Sequence, residues 1–146
     1  MELPPFPSGT RWGSFPTTAD TGVWGRSSTL DGLFGALGTA MFAVMTDLRA
    51  VVPTEVRHVR ATGPDVNGLL VAFLSDLITM EDTERFVARR VAARVSLGNA
   101  PAATGDAYGE PWDPARHVRR KEVKAVTLHE LKVETRPPSA RVILDI

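Results

Sequence analysis

Leu30, Leu33, Phe34, Leu37, Met41, Val44, Met45 and Leu48 recur at the three- and four-residue spacing of a single buried helical face. The stripe predicts a helix from about Leu30 to near Asp47, ended before Pro53. Ser28 with Asp31 three residues on has the form of a capping box, with Asp in place of Glu. The other side of this helix is small: Gly35, Ala36, Gly38 and Ala40. Each internal glycine costs about 1 kcal/mol against alanine, so a neighbouring backbone is expected to approach closely there. Val66, Leu69, Leu70, Phe73, Leu74, Leu77 and Ile78 make a second stripe, opened by Asp65 as N-cap and ended over Met80 to Thr83. Leu33, Leu37, Met41, Val44, Leu70, Phe73, Leu74 and Leu77 are the predicted core.

Elsewhere the period shortens. Ser14–Thr18 and Gly22–Ser27 are strand candidates around the turn Ala19-Asp20-Thr21-Gly22. Val56, His58, Val59 and Arg60 mark another, closed by Thr62-Gly63-Pro64. Phe86–Leu97 and Ala100–Glu110 read as a hairpin through Gly98-Asn99. Glu122–Thr135 and Ala140–Ile146 read as a final pair through Arg136-Pro137-Pro138-Ser139, with Val123, Ala125, Thr127, His129 and Leu131 on one face. Runs of consecutive strands broken by two helices predict an α+β domain. The expected architecture is one strongly curved, mostly antiparallel sheet with both long helices packed on it. Residues 1–13, rich in proline and glycine, are expected as an extended lead-in, and residues 14–146 as a single domain.

Composition narrows the function classes. The chain of 146 residues carries 17 basic and 17 acidic side chains and no formal net charge. A general nucleic-acid binder is usually clearly basic, so RNA contact is expected to be weak, local or through a partner. The absence of cysteine removes disulfides, zinc–thiolate sites and thiol catalysis, and fits a reducing cytoplasm. No secretory leader pattern opens the chain and no apolar run reaches transmembrane length, so a cytoplasmic protein without a membrane partner is expected.

The densest chemistry lies in Gly109–Val133, GEPWDPARHVRRKEVKAVTLHELKV. Pro111 and Pro114 stiffen its start, and Asp113 before Pro114 predicts a capped helical turn. Arg116, His117, Arg119, Arg120, Lys121 and Lys124 then cluster around Glu122. Such runs are most often solvated faces; the functional reading is a docking surface for an acidic patch, a nucleotide phosphate or RNA. Trp112 reads either as a loop anchor or as a base-stacking ring, with the anchor the commoner fate. His58, His117 and His129 lie far apart, His129 as a core or edge histidine by default, and no GxSxG, P-loop or HExxH pattern occurs. Asp20 reads as a turn aspartate bonding its own backbone. Asp145, between Leu144 and Ile146, is a carboxylate in apolar company that needs a partner or a metal.

Taken in chain order from about Ser14 to Ile146, TTADTGV, MFAVMTDL, GEPWDPARH, EVKAVTLHELKV and ARVILDI together resemble the archease family. The resemblance implies a strand-helix-strand-strand core with an inserted helix-and-strand portion. It implies a divalent ion, usually taken in the family to be calcium, with magnesium as the other hard-cation option, held by Asp20, Asp145 and the terminal residue Ile146. The leading histidine of the family motif is Thr17 here, which removes one ligand type from that site. The resemblance also implies an accessory protein of tRNA splicing and RNA repair, not itself an enzyme. Its partner is an RtcB-type RNA ligase, whose guanylylation and multiple turnover it promotes, with Arg119, Lys121, Glu122 and Lys124 as the partner-binding residues. The alternatives are a chaperone-like modulator of an RNA-modifying enzyme and a small metal-dependent enzyme using Asp20 and Asp145.

Overall fold

Both apolar stripes become helices in the computed structural model, which describes all 146 residues. In chain order the elements are β1 (Arg11–Pro16), β2 (Thr21–Arg26), α1 (Leu30–Met45), β3 (Glu55–Thr62), α2 (Val66–Glu84), β4 (Phe86–Ser96), β5 (Ala102–Pro111), β6 (Ala125–Val126), β7 (Lys132–Thr135) and β8 (Pro138–Asp145), with one 3-10 turn at Leu48–Ala50. The eight residues expected in the core are all buried, none more than 7% exposed. Asp65 caps α2 as expected, accepting from the Gly68 amide at 2.8 Å. The cap of α1 is Thr29 and not Ser28, its hydroxyl accepting from the Gly32 amide at 2.9 Å. Asp31 has no part in a capping box because its carboxylate accepts the Val95 amide of β4 at 2.8 Å.

The α+β class and antiparallel pairing stand, but the strands divide into two sheets where one was expected. A five-stranded sheet runs β1-β2-β8-β6 with β7 also on β8, and a three-stranded sheet runs β3-β5-β4. Helix α1 packs on both β4 and β2, and so joins the sheets; α2 lies mainly on β3. Along β4 the helix covers an open strand edge, with Thr39 accepting the Val91 amide at 3.0 Å beside the Asp31 contact. That close approach explains Gly35, where a Cβ would stand 2.7 Å from the Val91 carbonyl oxygen.

Two boundaries differ from expectation. β1 starts at Arg11, inside the expected lead-in. The residues before it are held by Arg90, which is 6% exposed and donates to the carbonyls of Pro4 (3.1 Å), Pro5 (3.3 Å) and Val91 while stacking 3.5 Å from the Phe6 ring centre. Burial draws this guanidinium down to about 10. The expected strand Glu122–Thr135 forms only as β6 and β7. Val126 pairs with Leu144 and Lys132 with Arg141, so five residues on one side face only Val142 and Ile143 on the other, an excess of three. The amide and hydroxyl of Thr127 both fold onto the Ile143 carbonyl at 3.0 Å, and Glu130 takes a left-handed φ of 49°. An odd excess flips the alternation, so the single face from Val123 to Leu131 does not exist.

Candidate functional site

The loop after β5 opens as the sequence implies. Asp113 accepts the Ala115 amide on its side chain at 2.9 Å, and its carbonyl accepts the Arg116 and His117 amides at 3.0 and 2.7 Å. The turn brings Arg116 and His117 back onto Glu110, which is 6% exposed at the end of β5. His117, 2% exposed, accepts the Asp113 amide on Nδ1 at 2.9 Å, which leaves Nε2 to donate to Glu110 at 2.9 Å. Glu110 also accepts the Val52 amide at 2.6 Å and both terminal nitrogens of Arg116. The Arg116 guanidinium is the main reason the Glu110 carboxyl is held down to about 2. Arg116 and His117 therefore leave the expected basic surface and serve as a knot that fixes the loop.

Downstream, the loop forms one wall of a cleft of about 630 Å³ against the end of α2. Glu81, Asp82, Arg85, Arg119, Glu122 and Lys124 line it. Trp112 acts as an anchor for this loop: its indole N–H donates to Glu81 at 3.0 Å and its ring stands T-shaped to that of His117. Arg119 stacks 3.9 Å from the Trp112 ring centre and reaches Glu81 at 3.9 Å. Burial pushes the Glu81 carboxyl upward, offset in part by Trp112 and Arg119. Glu122 and Lys124 are exposed.

Asp20, Asp145 and Ile146 lie at one end of the five-stranded sheet. Thr21 pairs with Leu144, so Asp20 and Asp145 are the next residues along two neighbouring strand ends. The turn role expected of Asp20 belongs to Thr17, whose hydroxyl accepts the Asp20 amide at 2.9 Å. The Asp20 carboxylate is thereby left without a hydrogen bond in the chain, as is that of the exposed Asp145. Ile146 follows, partly buried. Lys121 donates to the Thr21 hydroxyl at 2.9 Å, and the Lys124 amide donates to the Asp145 carbonyl at 2.8 Å. Nowhere do three or more His, Asp or Glu side chains gather as metal ligands. The oxygen donors at this sheet end are two side-chain carboxylates and main-chain carbonyls, the ligand type that calcium and magnesium take.

The expected residues thus fall into two adjoining groups. Asp20, Asp145 and Ile146 stand with Lys121 at the sheet end; Arg119 and Glu122 stand in the cleft; Lys124 belongs to both. Arg120 turns away to Asp47 at 3.8 Å. His58 pairs with Asp106 at 2.6 Å on the surface, and His129 is exposed beside Glu130 rather than in a core or strand edge. Glu81 and Glu110 were not singled out from sequence. Glu81 was visible in principle: it follows Leu70, Leu74 and Leu77 at helical spacing and so lies on the buried stripe.

The sequence model of the Archease protein family matches residues 12–146. A protein archease of Thermococcus gammatolerans is 38% identical over 128 residues, 87% of this chain and 90% of that one. Those of Pyrococcus abyssi and Methanothermobacter thermautotrophicus are 34% and 37% identical, covering 93% and 90% of this chain and 99% and 96% of theirs. Among solved structures, the solution structure of Methanobacterium thermoautotrophicum protein 1598 matches with a TM-score of 0.75 at 36% identity, over 92% of this chain and 98% of that one. No helix is long and apolar enough to cross a membrane.

Proposed function

This chain belongs to the archease family, and from that premise we propose that it is an accessory activator of an RtcB-type RNA ligase in tRNA splicing and RNA repair. It works in the cytoplasm, promotes guanylylation of the ligase and permits its repeated turnover, and catalyses neither step itself. The observation that supports this reading is that the β2 end next to Asp20 and the β8 end at Asp145 are neighbours, with Lys121 bonded to Thr21 and the Lys124 amide to the Asp145 carbonyl, beside a charged cleft that Lys124 lines. Asp20, Asp145 and a main-chain oxygen of Ile146 hold one divalent ion, calcium or magnesium. When bound, that ion supplies a fixed positive charge and open coordination positions to a partner's oxygen atoms.

The chain's own residues do the rest. The Glu110 knot and the Trp112 anchor give the loop one shape, so Arg119, Lys121, Glu122 and Lys124 meet the ligase with little ordering left to do. Their charges favour the ligase conformation competent for nucleotide and metal. A partner shifts such an equilibrium only by its differential affinity for the two states.

The test is single-turnover guanylylation of a cognate ligase, with wild type, Lys124→Ala and Asp145→Ala, beside circular dichroism of each. Wild type should accelerate guanylylation, and both variants should lose much of that effect with an unchanged fold. No acceleration by wild type rejects the function. Full acceleration by both variants keeps it and discards the site.

A further inference from the structure

We propose that the outer face of the five-stranded sheet is a binding surface for single-stranded nucleic acid. Strand alternation defines the face. Val23, Val142 and Leu144 point inward and are fully buried, and a Cβ on Gly25 would lie 3.4 Å from Leu37 of α1. The residues between them point out. Gly13, Trp24, Arg141 and Lys132 form one row across β1, β2, β8 and β7; Arg11, Arg26, Ser139 and Glu134 form the next.

Two aromatic rings lie flat on this face because glycines sit beneath them. A Cβ at Gly13 would be 2.8 Å from the Trp24 indole nitrogen, and one at Gly22 would collide with the Phe15 ring. Covering a strand glycine is reason enough for a ring to lie there. Neither ring, however, joins the core cluster, and the Trp24 indole N–H has no partner within the chain. Both rings are half-buried.

The cations have no such structural reason. Arg11 stands directly opposite Arg26, and Lys132 directly opposite Arg141. Like charges opposite one another destabilise a sheet. None of the four forms an ion pair. Arg141 only stacks 4.7 Å from the Phe15 ring centre, and Arg11 only reaches its neighbour's carbonyl. All four are exposed, and Glu134 is the one acidic side chain in these rows. A neutral protein has thus gathered cations without ion pairs around Trp24, over a shallow depression of about 340 Å³. Phosphates match the guanidinium forks and bases match the rings. An acidic peptide would use the cations and leave the rings idle. This surface is independent of the ligase reading, which rests on the sheet end and the cleft.

The test is fluorescence anisotropy of a labelled oligouridine of about 12 nucleotides titrated with the full chain between about 50 and 200 mM salt. Wild type should bind at low salt and weaken steeply as salt rises. Trp24→Ala should bind roughly 5- to 100-fold more weakly, and Trp24→Phe should retain most of the affinity. Arg26→Gln and Lys132→Gln should each lower the salt slope by about 0.7 and leave the melting temperature unchanged or higher, since each relieves a like-charge pair. No binding at low salt overturns the proposal. So does equal affinity for duplex RNA, for polyglutamate, or for Trp24→Ala. If Arg26→Gln and Lys132→Gln both lower the melting temperature, the cations are structural and the proposal fails.

Discussion

Replacing Glu110 with Gln should destabilise the chain at neutral pH and progressively less in acid. Glu110 accepts from the Val52 amide, from Arg116 and from His117, and is 6% exposed. Gln keeps the shape but removes the charge and presents an amide N–H₂ where an acceptor is needed. The Glu110 carboxyl is drawn from 4.5 to about 2, which corresponds to an upper limit of roughly 3 kcal/mol of preferential stabilisation of the charged form. Arg116 is partly exposed and water screens it, so a loss of about 2 kcal/mol is the expectation. In a domain of this size that lowers the melting temperature by roughly 5 °C. The sign follows from linkage: a depressed carboxyl contributes fully above its unfolded value and loses the contribution as pH falls through the folded one. Wild type and Glu110→Gln should therefore differ most at pH 7, and the gap should close from about pH 4.5 towards pH 2. Thermal melts followed by circular dichroism at stepped pH measure it. Equal stability at pH 7, or a gap that does not change with pH, refutes the knot.

Phe73→Ala should cost about 3–5 kcal/mol by chemical denaturation, since Phe73 is fully buried against β5, where Gly105 makes room for its ring. Gly35→Ala should destabilise despite the better helix propensity of alanine, because the new methyl meets the Val91 carbonyl oxygen; a more stable variant in the same denaturation assay would contradict the edge-covering role of α1. Calcium should raise the melting temperature of wild type and fail to do so for Asp20→Ala and Asp145→Ala; an equal rise in all three removes the ion from the sheet end.

The features that could be read from sequence are those carried by local period. Helix stripes depend only on residues three and four apart, and both formed with their cores as expected. Asp65 and Asp113 were legible as caps because a cap bonds within its own turn. Ser28 was not replaced by Thr29 through any local rule: β4 claimed Asp31, and a capping box lost its second half to a strand 64 residues away. The basic run split for the same reason. Composition showed cations at Arg116, His117, Arg119, Lys121 and Lys124, but Glu110, Glu81 and Thr21 decide which of them face outward, and each lies on a different element.

Register is the deeper cause. Alternation shows that a strand has two faces without showing which partner sets them, and a three-residue excess on one side reverses the faces beyond it. Thr127–Leu131 carries that excess, so the face of β7 is opposite to the one that uninterrupted alternation from Val126 assigns. Lys132 is thereby brought into line with Arg141 and Trp24 on the outer face. Without the excursion Lys132 would fall out of that row, and the Lys132–Arg141 repulsion would vanish with it. A fold selected only for stability has no reason to keep both the excursion and the repulsion, so the pair is best understood as something the outer face is for.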